Sequence, residues 1–116
     1  MSDHHNINYV EFPSNNLAVT KVFFSQVFNW TFIDYGPEYT AFNQQGIAGG
    51  FYLSDLTCST KTGSSLVVIY SDDIDSTERD IVEAGGKIIV KTFEFPGGKR
   101  FHFCDPIGNE YAVWTK

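Results

Sequence analysis

YVEFPSNNL (Tyr9–Leu17) and LVVIYSDDI (Leu66–Ile74) decide the fold, because one lies over the other without a gap at a shift of 57 residues. The overlay continues as far as Ile33 and Val90. Val10 meets Val67, Ser14 meets Ser71, and Thr20 meets Thr77. Apolar positions also coincide, with Phe12 over Ile69, Leu17 over Ile74 and Phe24 over Ile81. Asn16 falls on Asp73, and each is a good helix N-cap placed just before an apolar residue. Further on the shift grows to 61, with Phe42 over Phe103, and then to 62, with Gly46 over Gly108 and Tyr52 over Trp114. Identities are few, but caps, strands and turns recur in one order, the mark of an internal repeat.

Each copy reads as a strand, a helix and three strands. In the first, Ile7–Phe12 is a strand and Leu17–Phe28 a helix with apolar residues at three- and four-residue spacing. Strands Trp30–Tyr35, Tyr39–Gln44 and Ile47–Leu53 follow, the first two separated by a Gly36-Pro37 turn. In the second, Leu66–Tyr70 is a β-branched strand and Ile74–Ala84 a helix stopped by Gly85-Gly86. Lys87–Phe93, Lys99–Cys104 and Asn109–Thr115 complete the set, with turns at Pro96-Gly97-Gly98 and Pro106-Ile107-Gly108. Ser54–Ser64 is rich in Ser, Thr and Gly and reads as a hinge. The expected organisation is one domain over residues 1–116, with modules at about 7–53 and 65–115 joined by a linker at 54–64.

Composition narrows the function classes. The 116 residues allow one modest core, and 42% hydrophobic with 19% charged residues is ordinary for a globular protein. Eleven Phe, six Tyr and two Trp are enough to build that core from rings. A formal charge of −6 repels phosphate backbones and anionic lipid, so neither nucleic acid nor a membrane surface is an expected partner. No apolar run approaches the roughly 20 residues of a membrane span. MSDHHNIN at the N-terminus has no basic-then-apolar export signal, so a cytoplasmic location is expected, with Cys58 and Cys104 as reduced thiols.

Asn8-Tyr9-Val10-Glu11-Phe12, the helix end Phe23-Phe24-Ser25-Gln26-Val27-Phe28-Asn29-Trp30, and Phe101-His102-Phe103-Cys104-Asp105-Pro106-Ile107-Gly108-Asn109-Glu110 resemble the vicinal-oxygen-chelate superfamily. Its members include glyoxalase I, bleomycin-resistance proteins, fosfomycin-resistance enzymes and extradiol dioxygenases, and the likeness runs from about Ile7 to Trp114. The resemblance implies an α+β fold in which two tandem βαβββ modules form an eight-stranded, cup-shaped sheet with helices outside, enclosing a small-molecule cavity. It also implies a homodimer. The superfamily places its metal ligands on the first and fourth strands of each module, which fall here at Tyr9 and near Leu66, and at Gly50 and Ala112. None of these is a usual ligand of a divalent metal, so no metal and no other cofactor is expected.

Strand alternation selects the cavity lining. If Tyr9 faces the cup, so does Glu11; if Ala112 does, so do Glu110 and Trp114. His102 points opposite to Phe101 and Phe103, which enter the core. The expected ligand-binding face is Tyr9, Glu11, Tyr52, Val68, Tyr70, His102, Glu110, Ala112 and Trp114. Glu11 interrupts an apolar strand, where an unpaired buried charge is costly. It reads either as a general base or ligand anchor, or as a structural acid paired with Arg100, His102 or a tyrosine hydroxyl. His102 has the ring suited to proton transfer near neutral pH, and Glu11 is its expected partner. A third reading makes Glu11, His102 and Glu110 a relocated divalent-metal site.

Two functions follow. The first is a metal-free domain that binds a small organic molecule in an aromatic cavity. The alternative is a lyase or isomerase with Glu11 and His102 as acid and base. Asp72, Asp73 and Asp75 open a helix and complement its dipole, while Gly49-Gly50 and Gly97-Gly98 lack the strand–helix setting of a phosphate loop.

Overall fold

The residues matched by the repeat build the same corner twice. Ser14 Oγ lies 2.8 Å from Thr20 Oγ1, and Ser71 Oγ lies 2.7 Å from Thr77 Oγ1. Each serine also accepts a backbone N–H, from Asn16 at 3.2 Å and from Asp73 at 3.0 Å. Asn16 and Asp73 then cap the helices by accepting from the N–H groups of Val19 and Ser76. A strand end, a cap and the first helical turn are thereby tied into one unit, which satisfies donors that a helix start leaves open.

A computed structural model gives the fold and describes residues 3–44 and 46–116. Met1 and Ser2 of the polar N-terminus lie outside the described residues. The first module is β1 (Tyr9–Ser14), α1 (Leu17–Phe28), β2 (Thr31–Asp34), β3 (Tyr39–Asn43) and β4 (Ala48–Leu53). The second is β5 (Val67–Tyr70), α2 (Ile74–Glu83), β6 (Lys87–Phe95), β7 (Gly98–Cys104) and β8 (Glu110–Thr115). The architecture is α+β, with two four-stranded sheets in the orders β1-β4-β3-β2 and β5-β8-β7-β6. In each sheet the first strand pairs parallel with the fourth, and the other pairs are antiparallel. Among the described residues no helix is long and apolar enough to cross a membrane.

Boundaries differ from the sequence reading where pairing extends a strand. β1 runs on through Pro13 and Ser14 because β4 continues beside it to Leu53. β6 runs to Phe95, which pairs with Gly98 across a tight Pro96-Gly97 turn, with Gly97 at φ 115°. Proline fixes the first turn position and glycine takes the positive φ.

Rings from both modules form one core. Phe24, fully buried, has its ring centroid 5.5 Å from that of Phe51 on the first sheet and 5.3 Å from Tyr111 on the second. Phe12 meets Tyr111 directly at 5.4 Å, and Phe23 reaches Phe103 at 6.1 Å. Burying such a ring stabilises the fold by about 1.5–3 kcal/mol relative to exposure. The helix-side faces of the two sheets are thus used up against α1, α2 and each other. No helix covers the opposite faces, and the linker reaches the second of them at Glu110 through Thr60.

The Asp105-Pro106-Ile107-Gly108-Asn109 turn fastens the modules. Asp105 Oδ1 accepts the N–H groups of Ile107 and Asn109, at 3.2 and 3.0 Å. Asn109 Nδ2 donates 2.6 Å to the Pro13 carbonyl on β1, and its Oδ1 accepts from Cys58 N–H at 2.8 Å. Glu110 N–H donates back to the Cys58 carbonyl at 2.9 Å. The linker read as a hinge is therefore pinned to β8. Both cysteines are free and half-buried, and burial raises each thiol above its ordinary pKa.

Candidate functional site

The uncovered face of the second sheet carries a buried acid–imidazole pair. His102 on β7 and Glu110 on β8 project from neighbouring strands, with His102 Nδ1 2.9 Å from Glu110 Oε2. Thr60, from the linker, donates its N–H to Glu110 Oε1 at 2.7 Å and reaches both carboxylate oxygens with its hydroxyl, at 3.0 and 3.2 Å. Burial pushes the Glu110 carboxyl up, and the bonds from His102 and Thr60 outweigh it, so the group lies below the usual carboxylate range. An ionised carboxylate only accepts, so Nδ1 carries the hydrogen and Nε2 is the basic nitrogen of the neutral ring. Nε2 takes no partner from the described residues.

Rings share this face, and one of them, Phe93, reaches the pair. The register sets Val68 beside Ala112 and Tyr70 beside Trp114, with His102 and Arg100 across from Ala112 and Trp114. Tyr70 and Trp114 meet edge to face at 5.1 Å, and Phe93 on β6 lies 6.2 Å from the His102 ring. Val68, Tyr70 and Phe93 are exposed. A recess of ≈ 300 Å³ adjoins Glu110, lined by Thr60, Lys61, Val90 and Cys104 among others.

The first sheet holds a second polar cluster, separate from the first. Tyr39 on β3 crosses β4 and donates its hydroxyl to Glu11 Oε2 on β1 at 2.9 Å. Its single hydrogen is then committed, so the Tyr9 hydroxyl, 2.6 Å away, donates to the Tyr39 oxygen. Burial, together with the bond it donates to the Glu11 carboxylate, raises Tyr39 well above an ordinary phenol. Gly50 makes the crossing possible, since a Cβ there would stand 2.2 Å from the Tyr39 hydroxyl oxygen. Glycine inside a strand often marks such a close approach.

These contacts correct the expected Glu11–His102 pair. Glu11 pairs with Tyr39 on one sheet and His102 with Glu110 on the other, because β1 is bonded to β4 and not to β7. The relocated site of Glu11, His102 and Glu110 is likewise not assembled, and among the described residues no three His, Cys, Asp or Glu side chains stand together as a metal group. The first-strand ligand position near Leu66 lies just outside β5, which starts at Val67. The superfamily's metal does not fit the remaining positions. Gly50 and Ala112 offer no donor, Tyr9 is bonded to Tyr39, and the Tyr39 ring fills the space above Gly50. The expected lining divides in the same way, with Tyr9, Glu11 and Tyr52 on the first sheet and Val68, Tyr70, His102, Glu110, Ala112 and Trp114 on the second. A separate cavity of ≈ 450 Å³ opens between β1 and β5, lined by Val10, Phe12, Trp30, Phe42 and Ile69 as well as Val68 and Tyr70.

Sequence reading missed Tyr39 and Thr60. Gly50 was a signal for Tyr39, as a strand glycine in register with Glu11. Thr60 carried none, since a Ser/Thr-rich linker reads as spacer.

Several solved structures share the fold. A glyoxalase/bleomycin resistance protein/dioxygenase family enzyme from Burkholderia phytofirmans PsJN superposes with a TM-score of 0.79 at 16% identity, covering 94% of this chain and 97% of that one. A glyoxalase-related enzyme from Fulvimarina pelagi gives 0.78 at 16% identity, over 97% and 88% of the two chains. Lactoylglutathione lyase from Agrobacterium tumefaciens gives 0.71 at 15% identity, over 96% and 93%. No curated protein matches this chain by sequence. A model of the Glyoxalase/Bleomycin resistance protein/Dioxygenase superfamily matches residues 6–113, nearly the whole of both modules, and the chain belongs to that superfamily.

Proposed function

We propose that this protein binds a small organic molecule over the uncovered face of β5–β8, without the superfamily's metal. The observation that carries the reading is the buried His102–Glu110 pair, with Phe93 against the His102 ring and Val68, Tyr70 and Trp114 on the same face of the sheet. Ligand sites combine apolar walls with a few fixed polar groups, and this face has that composition. The donor set at the superfamily's metal positions supports the metal-free part. Two free thiols suit a reducing compartment, and we place the protein in the cytoplasm.

The uncovered faces also suit a homodimer. Tyr9, Ile33 and Tyr52 on the first sheet, and Val68, Tyr70, Val90 and Phe93 on the second, are exposed large side chains. One protomer's first sheet then closes over its partner's second, completing a cup. Sedimentation should read a dimer, and Ile33→Asp should shift it to monomer.

A second reading has one observation in its favour. Glu110 fixes the His102 tautomer so that Nε2 is a base, the arrangement a proton-abstracting lyase or isomerase needs. Titration of ring-bearing metabolites, followed by tryptophan fluorescence before and after chelation, tests the binding claim. Affinity should survive chelation and be lost in Tyr70→Ala, which keeps Trp114 as the reporter. Affinity that disappears on chelation and returns with zinc or manganese would contradict it. For any compound bound, His102→Ala separates the readings. It should weaken affinity in both, and it removes a turnover seen in the wild type only if the protein is an enzyme.

A further inference from the structure

We infer that Arg100 is the anion anchor of the second-sheet face, and that the ligand bound there carries a carboxylate. The inference rests on the binding reading above. Arg100 lies two residues before His102 on β7, so it projects from the same face, opposite Phe93 on one side and Trp114 on the other.

Its guanidinium carbon stands 5.5 Å from the Phe93 ring centroid. Stacking of this kind fixes the plane of the cation and leaves its outer edge for a partner. Nothing among the described residues supplies that partner. The ion pairs among them are Lys21–Asp34 and His102–Glu110, and Arg100 Nε is buried with no hydrogen-bond acceptor. Glu110, the acid on the same face, is already committed to His102 and Thr60. The chain thus holds a permanent cation half out of water beside its candidate base, stacked on Phe93 but facing no anion among the described residues.

A planar carboxylate matches the guanidinium fork through two parallel hydrogen bonds. Alternate residues of a strand are about 7 Å apart. An acid held by Arg100 therefore brings the carbons next to its carboxylate towards His102 Nε2, with an apolar or ring-bearing remainder over Ala112 and Val68. A short, ring-bearing organic acid is the ligand class this face fits.

Benzoate and benzamide, equal in shape and different in charge, test the anchor on the full-length protein by amide and indole NMR shifts. Benzoate should bind about tenfold more tightly than benzamide, with shifts centred on Phe101–Phe103 and Trp114. Arg100→Gln should bring benzoate down to the level of benzamide, and Arg100→Lys should retain part of the preference. Equal binding of the two probes at this face overturns the anchor and leaves the binding reading standing, as does a preference unchanged in Arg100→Gln. Shifts absent from this face with both probes overturn the binding reading and the anchor with it. Conversion of dimer to monomer by Arg100→Gln, with the benzoate preference intact, assigns Arg100 to the subunit interface and overturns the anchor.

Discussion

His102 Nδ1 lies 2.9 Å from Glu110 Oε2, a contact between adjacent strands of one sheet. The carboxylate dictates which ring nitrogen holds the hydrogen, so the neutral imidazole should be a single tautomer with hydrogen on Nδ1. Ring nitrogen shifts at neutral pH check this. Glu110→Gln offers both a donor and an acceptor, and should give a mixture of tautomers.

The Tyr39 crossing depends on an absent side chain. Gly50→Ala places a Cβ against the Tyr39 ring and the Thr40 carbonyl, at 2.5 and 2.9 Å in the present geometry. Tyr39 must leave Glu11 and Tyr9, and its phenol should return towards the ordinary range. Spectrophotometric titration should detect this as an additional tyrosine ionising near pH 10.

The repeated corner offers a test of packing energetics. Ser14→Ala leaves the buried Thr20 hydroxyl without its partner, and should destabilise the fold by about 1–3 kcal/mol. The double change Ser14→Ala with Thr20→Val removes both polar groups and should recover much of that loss. Thr20 is fully buried and Thr77 only partly. The matching changes at Ser71 and Thr77 should therefore have smaller effects. Urea denaturation measures all four.

Asp105 makes stability depend on pH with a definite sign. Burial raises its carboxyl from 3.8 to about 6, against the bonds it accepts from Tyr111, Asn109, Ile107 and Gly108. Between those values the folded state holds more protons than the unfolded one, so this group's contribution is lost as pH rises. The loss is about 3 kcal/mol. Glu110, lowered by the fold, acts in the opposite sense and loses its contribution as pH falls. Asp105→Asn keeps the acceptor for Ile107 and Asn109 and no longer titrates. Relative to it, the wild type should weaken by about 2 kcal/mol from pH 4 to pH 7 in chemical denaturation.

Much of the fold was legible because its determinants are local. Asn16 and Asp73 announce helix starts, Gly85 a helix stop, and Ser14 with Thr20 recurs as Ser71 with Thr77. The site was less legible because its determinants are relations between strands. Alternation correctly puts His102 opposite Phe101 and Phe103, and puts Glu11 on the face of Tyr9. It does not say that β1 and β7 lie in different sheets, which is why Glu11 and His102 have different partners. Tyr39 reaches Glu11 only across the bare backbone of Gly50, and Thr60 meets Glu110 only once Asn109 has pinned Cys58.

A crystal structure of the protein purified from its source cells, with anomalous data collected for transition metals, tests the binding proposal most directly. The expected result is organic density over Val68, Tyr70, His102 and Trp114, and no anomalous peak near Tyr9, Gly50 or Ala112. An anomalous peak at Glu11, or at His102 and Glu110, would contradict it. So would organic density confined to the cavity between β1 and β5.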